Sequence, residues 1–199
     1  ISYGAALKKL WPLELDATYL NHGGYGVTPD EIMKVQTEWR TRIERNPTAF
    51  MTAEYPRAIR EAAGLLARFV GAEADDLVFV DNTTTGANAI LRSWPIRPDD
   101  EILVSDFSYG GVTRAAMFAA RERGATLRVA EMPYPVRSAD DIVEAFAAAI
   151  GPKTTLAVAD HVTSESALVL PLAAIAERCH TRGVAVLADG AHAPGAIPL

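Results

Sequence analysis

Cysteine occurs once in this sequence, at Cys179, so no disulfide can close within the chain. A reducing compartment is the expectation that follows, and with it a cytoplasmic location. The setting of that cysteine, Ala176-Glu177-Arg178-Cys179-His180, reads as a late helical turn, where a free thiol serves packing more often than reactivity. Long apolar runs are also missing. With no stretch of about 18 such residues, a helical membrane span is not expected. Positive charge is in deficit, and a net charge of −6 disfavours nonspecific binding to nucleic acid. Internal repeats and low-complexity linkers are absent as well. The first residue is Ile1 rather than methionine, and Ile1-Ser2-Tyr3-Gly4 has neither the basic start nor the apolar core of a secretion signal. Together with an end that breaks off at Pro198-Leu199 just after a loop, this reads as a fragment of a longer chain.

What is present is the composition of a globular domain, 49% hydrophobic and 22% charged, so the pattern along the chain can be read as elements around a core. The first 50 residues are irregular. A short helix near Leu7 and an extended piece at Ala17-Thr18-Tyr19-Leu20 lead into the glycine-dense loop Asn21-His22-Gly23-Gly24-Tyr25-Gly26. Thr28-Pro29 has the cap and first-turn pattern of a helix running to about Arg45, which Asn46-Pro47 breaks. From residue 51 onward a second helix covers roughly Pro56 to Val70, with Ile59, Ala62, Ala63, Leu66 and Phe69 at helical spacing, and Gly71 closes it. Strands and helices then alternate. Short apolar strands are predicted at Leu77–Val80, Glu101–Val104, Thr126–Ala130, Thr155–Ala159 and Val184–Ala188. Between them lie helices from Thr84 towards Trp94, from Gly111 to Arg123, from the capping box Ser138-Ala139-Asp140-Asp141 to Ile150, and from Pro171 to Arg182. Such alternation indicates an α/β fold with a mainly parallel sheet and helices on both faces. In these sheets ligands sit beyond the carboxyl ends of the strands.

Those ends are polar. Asp81-Asn82-Thr83-Thr84-Thr85-Gly86-Ala87-Asn88 enters a helix with hydroxyls and free backbone N–H groups, which suits a phosphate, although by composition alone a plain helix cap is the commoner reading. Ser105-Asp106-Phe107-Ser108-Tyr109-Gly110-Gly111 sets an aromatic beside glycines, either to lie against a planar ligand or to cover the sheet end. Asp160-His161-Val162-Thr163-Ser164-Glu165-Ser166 follows one apolar strand, and Asp189-Gly190-Ala191-His192-Ala193-Pro194 follows another. A carboxylate at the end of a buried strand is costly unless something positive faces it. A protonated pyridine nitrogen would serve; so would an arginine. All four segments fall on one edge, where a single planar anionic heterocycle could satisfy them. A rival reading takes Asp160, His161, Asp189 and His192 as zinc or manganese ligands of a metal-dependent hydrolase, though it leaves the threonine turn unexplained. A further rival is a non-catalytic truncated homologue.

Four stretches carry a resemblance: Tyr19-Leu20-Asn21-His22-Gly23-Gly24-Tyr25-Gly26, Val80 through Asn88, Asp160-His161-Val162-Thr163-Ser164, and Ala188-Asp189-Gly190-Ala191-His192-Ala193-Pro194-Gly195. In these the chain resembles the class V aminotransferases, fold-type I enzymes dependent on pyridoxal 5'-phosphate (PLP), and within them the isopenicillin N epimerase-like branch. The resemblance implies the N-terminal part of the large PLP-binding domain over residues 51–199. Residues 1–50 would contribute to the edge of the active site. It implies that Thr84 and Thr85 hold the phosphate and that Tyr109, or else Ser108 or Phe107, stacks on the ring. Asp189 would pair with the pyridine nitrogen, His192 and Ser164 would lie near the phenolic oxygen, and Asn21, His22 and Gly23 would face the substrate. The implied activity is epimerase, aminotransferase or C–S lyase and desulfurase chemistry on an amino acid or related amine, in a homodimer. Family members form a Schiff base through a lysine roughly two dozen residues beyond the aspartate, whereas this chain ends ten residues past Asp189. Of its four lysines, Lys8, Lys9 and Lys34 lie in the N-terminal region, and Lys153 precedes its strand. None is expected to take that part.

Overall fold

A computed structural model describes residues 4–14 and 16–199. The chain divides into two compact units, Ile1–Val78 and Phe79–Leu199.

The first unit is helical. A 3-10 turn at Gly4–Leu10 precedes the glycine loop, which is a hydrogen-bonded turn: the Tyr25 N–H donates to the Asn21 carbonyl at 2.9 Å. A Cβ at Gly24 would lie 2.9 Å from Asn21 Oδ1, so the turn requires glycine there unless Asn21 moves. Helix α1 spans Asp30–Arg45. Its start differs from the expectation by one step. Pro29 has an extended ψ of 148° and occupies the cap, not the first helical position, and Thr28 makes no capping bond. Asn46 then caps the short α2 (Pro47–Ala49) by accepting the Ala49 N–H, and a π-helical turn at Phe50–Glu54 joins it to α3, Tyr55–Val70. Gly71 ends α3 with φ 70°, the left-handed conformation a helix terminus favours in glycine.

The expected strand Leu77–Val80 does not form. A strand exists only by pairing with a neighbour, and among the described residues this segment has none. Its side chains Val78, Phe79 and Val80 are exposed accordingly.

The second unit opens with α4 (Thr83–Ser93), followed by β1 (Glu101–Ser105), α5 (Gly110–Glu122), β2 (Thr126–Ala130), α6 (Ala139–Ala149), β3 (Thr154–Asp160), α7 (Leu172–His180) and β4 (Ala185–Asp189). The four strands form one parallel sheet in the order β2-β1-β3-β4. Period-two alternation sorts their side chains onto two cores. Ile102, Val104, Leu156 and Val158 pack with Leu91 of α4 and Val112, Ala116 and Ala120 of α5. Leu103, Ala157 and Ala159 pack on the other face with Ile142 and Phe146 of α6 and with Ile175 and Cys179 of α7. Helices thus cover both faces, as the sequence pattern requires. Cys179 is fully buried there, and burial pushes its thiol pKa up.

After β1 the chain runs through α5 to β2 on one side; after β3 it runs through α7 to β4 on the other. Because α5 and α7 lie on opposite faces, the two connections diverge and leave a crevice at the carboxyl ends of β1 and β3. Such a switch point is where open α/β sheets bind ligands.

Candidate active site

Asp160 and Asp189 are the last residues of β3 and β4 and are register partners in the parallel ladder. They continue the Leu156-Val158 and Ala185-Leu187 parity, which places both on the sheet face that carries α4 and α5. Asp189 is 8% exposed, and its Oδ1 accepts the Ala191 N–H at 3.1 Å. No lysine or arginine pairs with it: the ion pairs among the described residues are Arg42–Glu54, Arg128–Glu101 and Arg178–Glu144. The arginine that would have explained Asp189 without a ligand is therefore not found.

Asp160 is 3% exposed. Its Oδ1 accepts the Tyr109 backbone N–H at 3.2 Å, while its Oδ2 is buried with no partner. Desolvation by burial raises its pKa above the ordinary 3.8. The Tyr109 N–H and the Ser108 hydroxyl oppose that shift, and the Asp189 carboxylate adds to it. The sequence offers Asp160 in the polar segment after an apolar strand and as a metal ligand; its register with Asp189 appears only in the folded sheet.

The turn after β1 is held by Ser108, whose Oγ accepts the Ser105 N–H at 3.1 Å and lies 3.1 Å from Ser105 Oγ. Tyr109, half-exposed, follows at the N-terminus of α5. Its ring folds back over Gly111, where a Cβ would come within 2.6 Å of Tyr109 Cε1. Phe107 points instead into the core on the α6 and α7 face. Of the three stacking candidates, Tyr109 is the one with an available ring on this side.

At the start of α4, Asn82 is the cap: its Oδ1 accepts the Thr85 N–H at 2.8 Å, and its carbonyl accepts the Gly86 N–H at 3.1 Å. The N–H groups of Thr83 and Thr84 remain as unpaired first-turn donors. The hydroxyls of Thr84 and Thr85 have no acceptor within the protein among the described residues. Asn82 fills the capping role, and the Thr84 and Thr85 hydroxyls are not used by it.

Ser164 lies exposed at the tip of a turn closed by Thr163. Thr163 Oγ1 accepts the Leu168 N–H at 2.9 Å and lies 2.7 Å from Ser166 Oγ. Ala167, inside that turn, takes φ 52°. His192 sits half-buried in the turn after β4, where Ala193 N–H bonds back to Gly190. Asn21, His22 and Gly23 belong to the first unit, where the His22 ring meets Tyr19 edge-on at 5.0 Å. Lys153 precedes β3, at the opposite end of the sheet from the two aspartates.

These features fit a planar ring with a phosphate and a basic nitrogen. First-turn donors of α4 suit the phosphate, and a buried carboxylate without a protein counter-ion suits the nitrogen. They do not fit the metal reading, since no group of three or more His, Cys, Asp or Glu able to hold an ion occurs among the described residues. No helix among them is long and apolar enough to cross a membrane.

Comparison with known proteins bears on the same point. The chain is 35% identical over 188 residues to the isopenicillin N epimerase of Amycolatopsis lactamdurans, spanning 92% of this chain and 46% of that one. It is 30% identical over 197 residues to a probable chloroplastic L-cysteine desulfhydrase of Arabidopsis thaliana, spanning 92% and 42%. Among solved structures, the cystine C–S lyase C-DES in complex with cysteine persulfide superposes with a TM-score of 0.83 at 27% identity, over 93% of this chain and 50% of that one. A variant of the same lyase, with glycine covalently linked to its PLP cofactor, gives 0.84 at 26% over 96% and 51%. The chain spans less than half the length of those two curated relatives and about half of the solved chains. The profile of the family described as aminotransferase class-V matches residues 18–199, and the chain belongs to that family.

Proposed function

We propose that the protein is a PLP-dependent enzyme acting on an amino acid or a related amine. The observation that carries this reading is Asp189: a strand-end carboxylate, 92% buried by its 8% exposure, with no cationic side chain beside it. It shares a sheet face with the free first-turn donors of α4.

Bound at this edge, the cofactor supplies an electron sink for negative charge developing at the substrate α-carbon. The protein's part is electrostatic and positional. Asp189 would hold the proton on the ring nitrogen, an attraction that a water-poor setting strengthens. The N–H groups of Thr83 and Thr84 and the hydroxyls of Thr84 and Thr85 grip the phosphate, with the α4 dipole aligned to favour the anion. Tyr109 would cover one ring face, and His192 and Ser164 would orient the phenolic oxygen. A homodimer in the cytoplasm completes the reading.

The relatives named above are an epimerase, a desulfhydrase and a C–S lyase. Each acts on a sulfur-containing amino acid or peptide, so C–S lyase, desulfurase and epimerase chemistry are the reactions to assay first. Incubating the complete protein with L-cysteine and PLP and measuring sulfide and pyruvate tests the lyase branch. Racemisation followed by chiral chromatography tests the epimerase branch. Loss of both activities in Asp189→Ala, with the fold retained by circular dichroism, is the expected result. An Asp189→Ala protein as active as wild type overturns the reading.

A further inference from the structure

Two carboxyl groups end neighbouring strands on the same sheet face, yet only Asp189 is needed opposite one ring nitrogen. Asp160 is the more deeply buried of the two, and it is tied across 51 residues of sequence to the backbone of the aromatic residue at the mouth of the same crevice. Resting on the functional reading above, we propose that Asp160 is a positioning residue for the cofactor ring: its Oδ1 pins the Tyr109 backbone at the start of α5 and so fixes where the Tyr109 ring can lie.

Three observations converge on this. The Tyr109 N–H is a first-turn donor that would otherwise be unpaired, and Asp160 is its acceptor at 3.2 Å. The Tyr109 ring is confined from the other side by Gly111, over whose Cα it folds. Its backbone and its ring are therefore both restrained, which a residue left merely at the surface does not need. Finally, the unpartnered Oδ2 of Asp160 lies at the carboxyl edge, next in register to Asp189. The groups that act on Asp160 are Asp189 on β4 and Ser108 and Tyr109 just before α5; among the described residues none is a lysine or arginine. Burial raises the Asp160 pKa, and the neighbouring Asp189 adds to the shift.

The test is a double-mutant cycle on the complete protein. PLP dissociation constants are measured by fluorescence titration, and the bound ring's environment by its visible circular dichroism, for wild type, Asp160→Ala, Tyr109→Ala, the double variant and Asp160→Asn. If Asp160 acts through Tyr109, each alanine variant weakens PLP by about tenfold and the double variant is no weaker than the worse single one. Asp160→Asn, which keeps an oxygen acceptor for the Tyr109 N–H, restores affinity to within about threefold of wild type together with the wild-type dichroic band. Additive losses in the cycle, near a hundredfold in the double variant, overturn the proposal. So does an Asp160→Asn variant as weak as Asp160→Ala, because charge rather than position would then be at work. Should Asp160→Ala fail to fold, the dichroic band of Asp160→Asn decides alone: retained, it supports positioning; lost, it overturns it. Wild-type protein that does not bind PLP refutes the underlying functional reading instead, an outcome visible before any variant is made.

Discussion

Asp160 and Asp189 are the same residue type at equivalent strand ends, and their surroundings separate them. Asp189 has the Ala191 N–H and a free oxygen; Asp160 has the Tyr109 N–H and an oxygen buried without a partner. The raised pKa of Asp160 has a consequence for stability. The folded state holds that proton more tightly than the unfolded chain does, so the contribution is complete below the unfolded value near 3.8 and is lost as pH rises through the higher folded value. Asp160→Asn removes that loss. Denaturant unfolding of cofactor-free protein is therefore expected to show the variant gaining on wild type as pH rises from about 3.8. A difference that stays constant as pH rises would mean the pKa of Asp160 is not raised. Residue type and place single out Asp189, Thr84 and Thr85 in the sequence as candidates. The role of Asp160 was not legible there, because register between two strands is a tertiary fact that no single stretch of sequence contains.

At the level of elements, the start of α4 shows a cap that does not use every first-turn donor. Asn82 takes the Thr85 N–H and leaves the Thr83 and Thr84 donors open. Replacing Asn82 by alanine is expected to cost about 1 kcal/mol of stability and to weaken phosphate binding, since the first turn then loses its anchor. Thermal unfolding and inorganic phosphate titration measure the two effects separately. At α5, Gly111→Ala places a Cβ where Tyr109 Cε1 now lies, 2.6 Å away, so the ring must swing off Gly111. PLP affinity is expected to fall about fivefold, with little change in unfolding midpoint for a change at a helix terminus. An unchanged dissociation constant would show that the ring's present position is irrelevant to binding. Helices and buried strands were legible because their apolar periods are imposed by burial itself. Leu77–Val80 misled because its apolar run looks the same with or without a partner, and the partner is what makes a strand. The start of α1 slipped because Thr-Pro is a signal for a boundary and not for its exact residue.

On the scale of the whole molecule, the two-faced sheet of the second unit is the scaffold that brings the sequence-distant segments after β1, β3 and β4 to one edge. Its α6 and α7 face depends on Phe146, which is fully buried among Leu103, Ala157 and Ile175. Phe146→Ala is expected to destabilise by about 3–5 kcal/mol, read as a lowered urea midpoint with an unchanged slope. A loss below about 1 kcal/mol would mean this core can collapse around the gap. The fold class followed from the alternation of elements alone. The strand order and the pairing of Asp160 with Asp189 did not, since they rest on crossovers that pass from one face to the other. The central claim is that Asp189 faces a positively charged ring nitrogen. The most direct test is a PLP titration of the complete protein and its Asp189→Ala variant, followed by visible absorbance at neutral pH. Wild type is expected to bind PLP and develop a shifted cofactor band, while Asp189→Ala binds at least about tenfold more weakly, the loss of one buried charge pair. Equal binding and equal spectra in the two proteins would contradict the account.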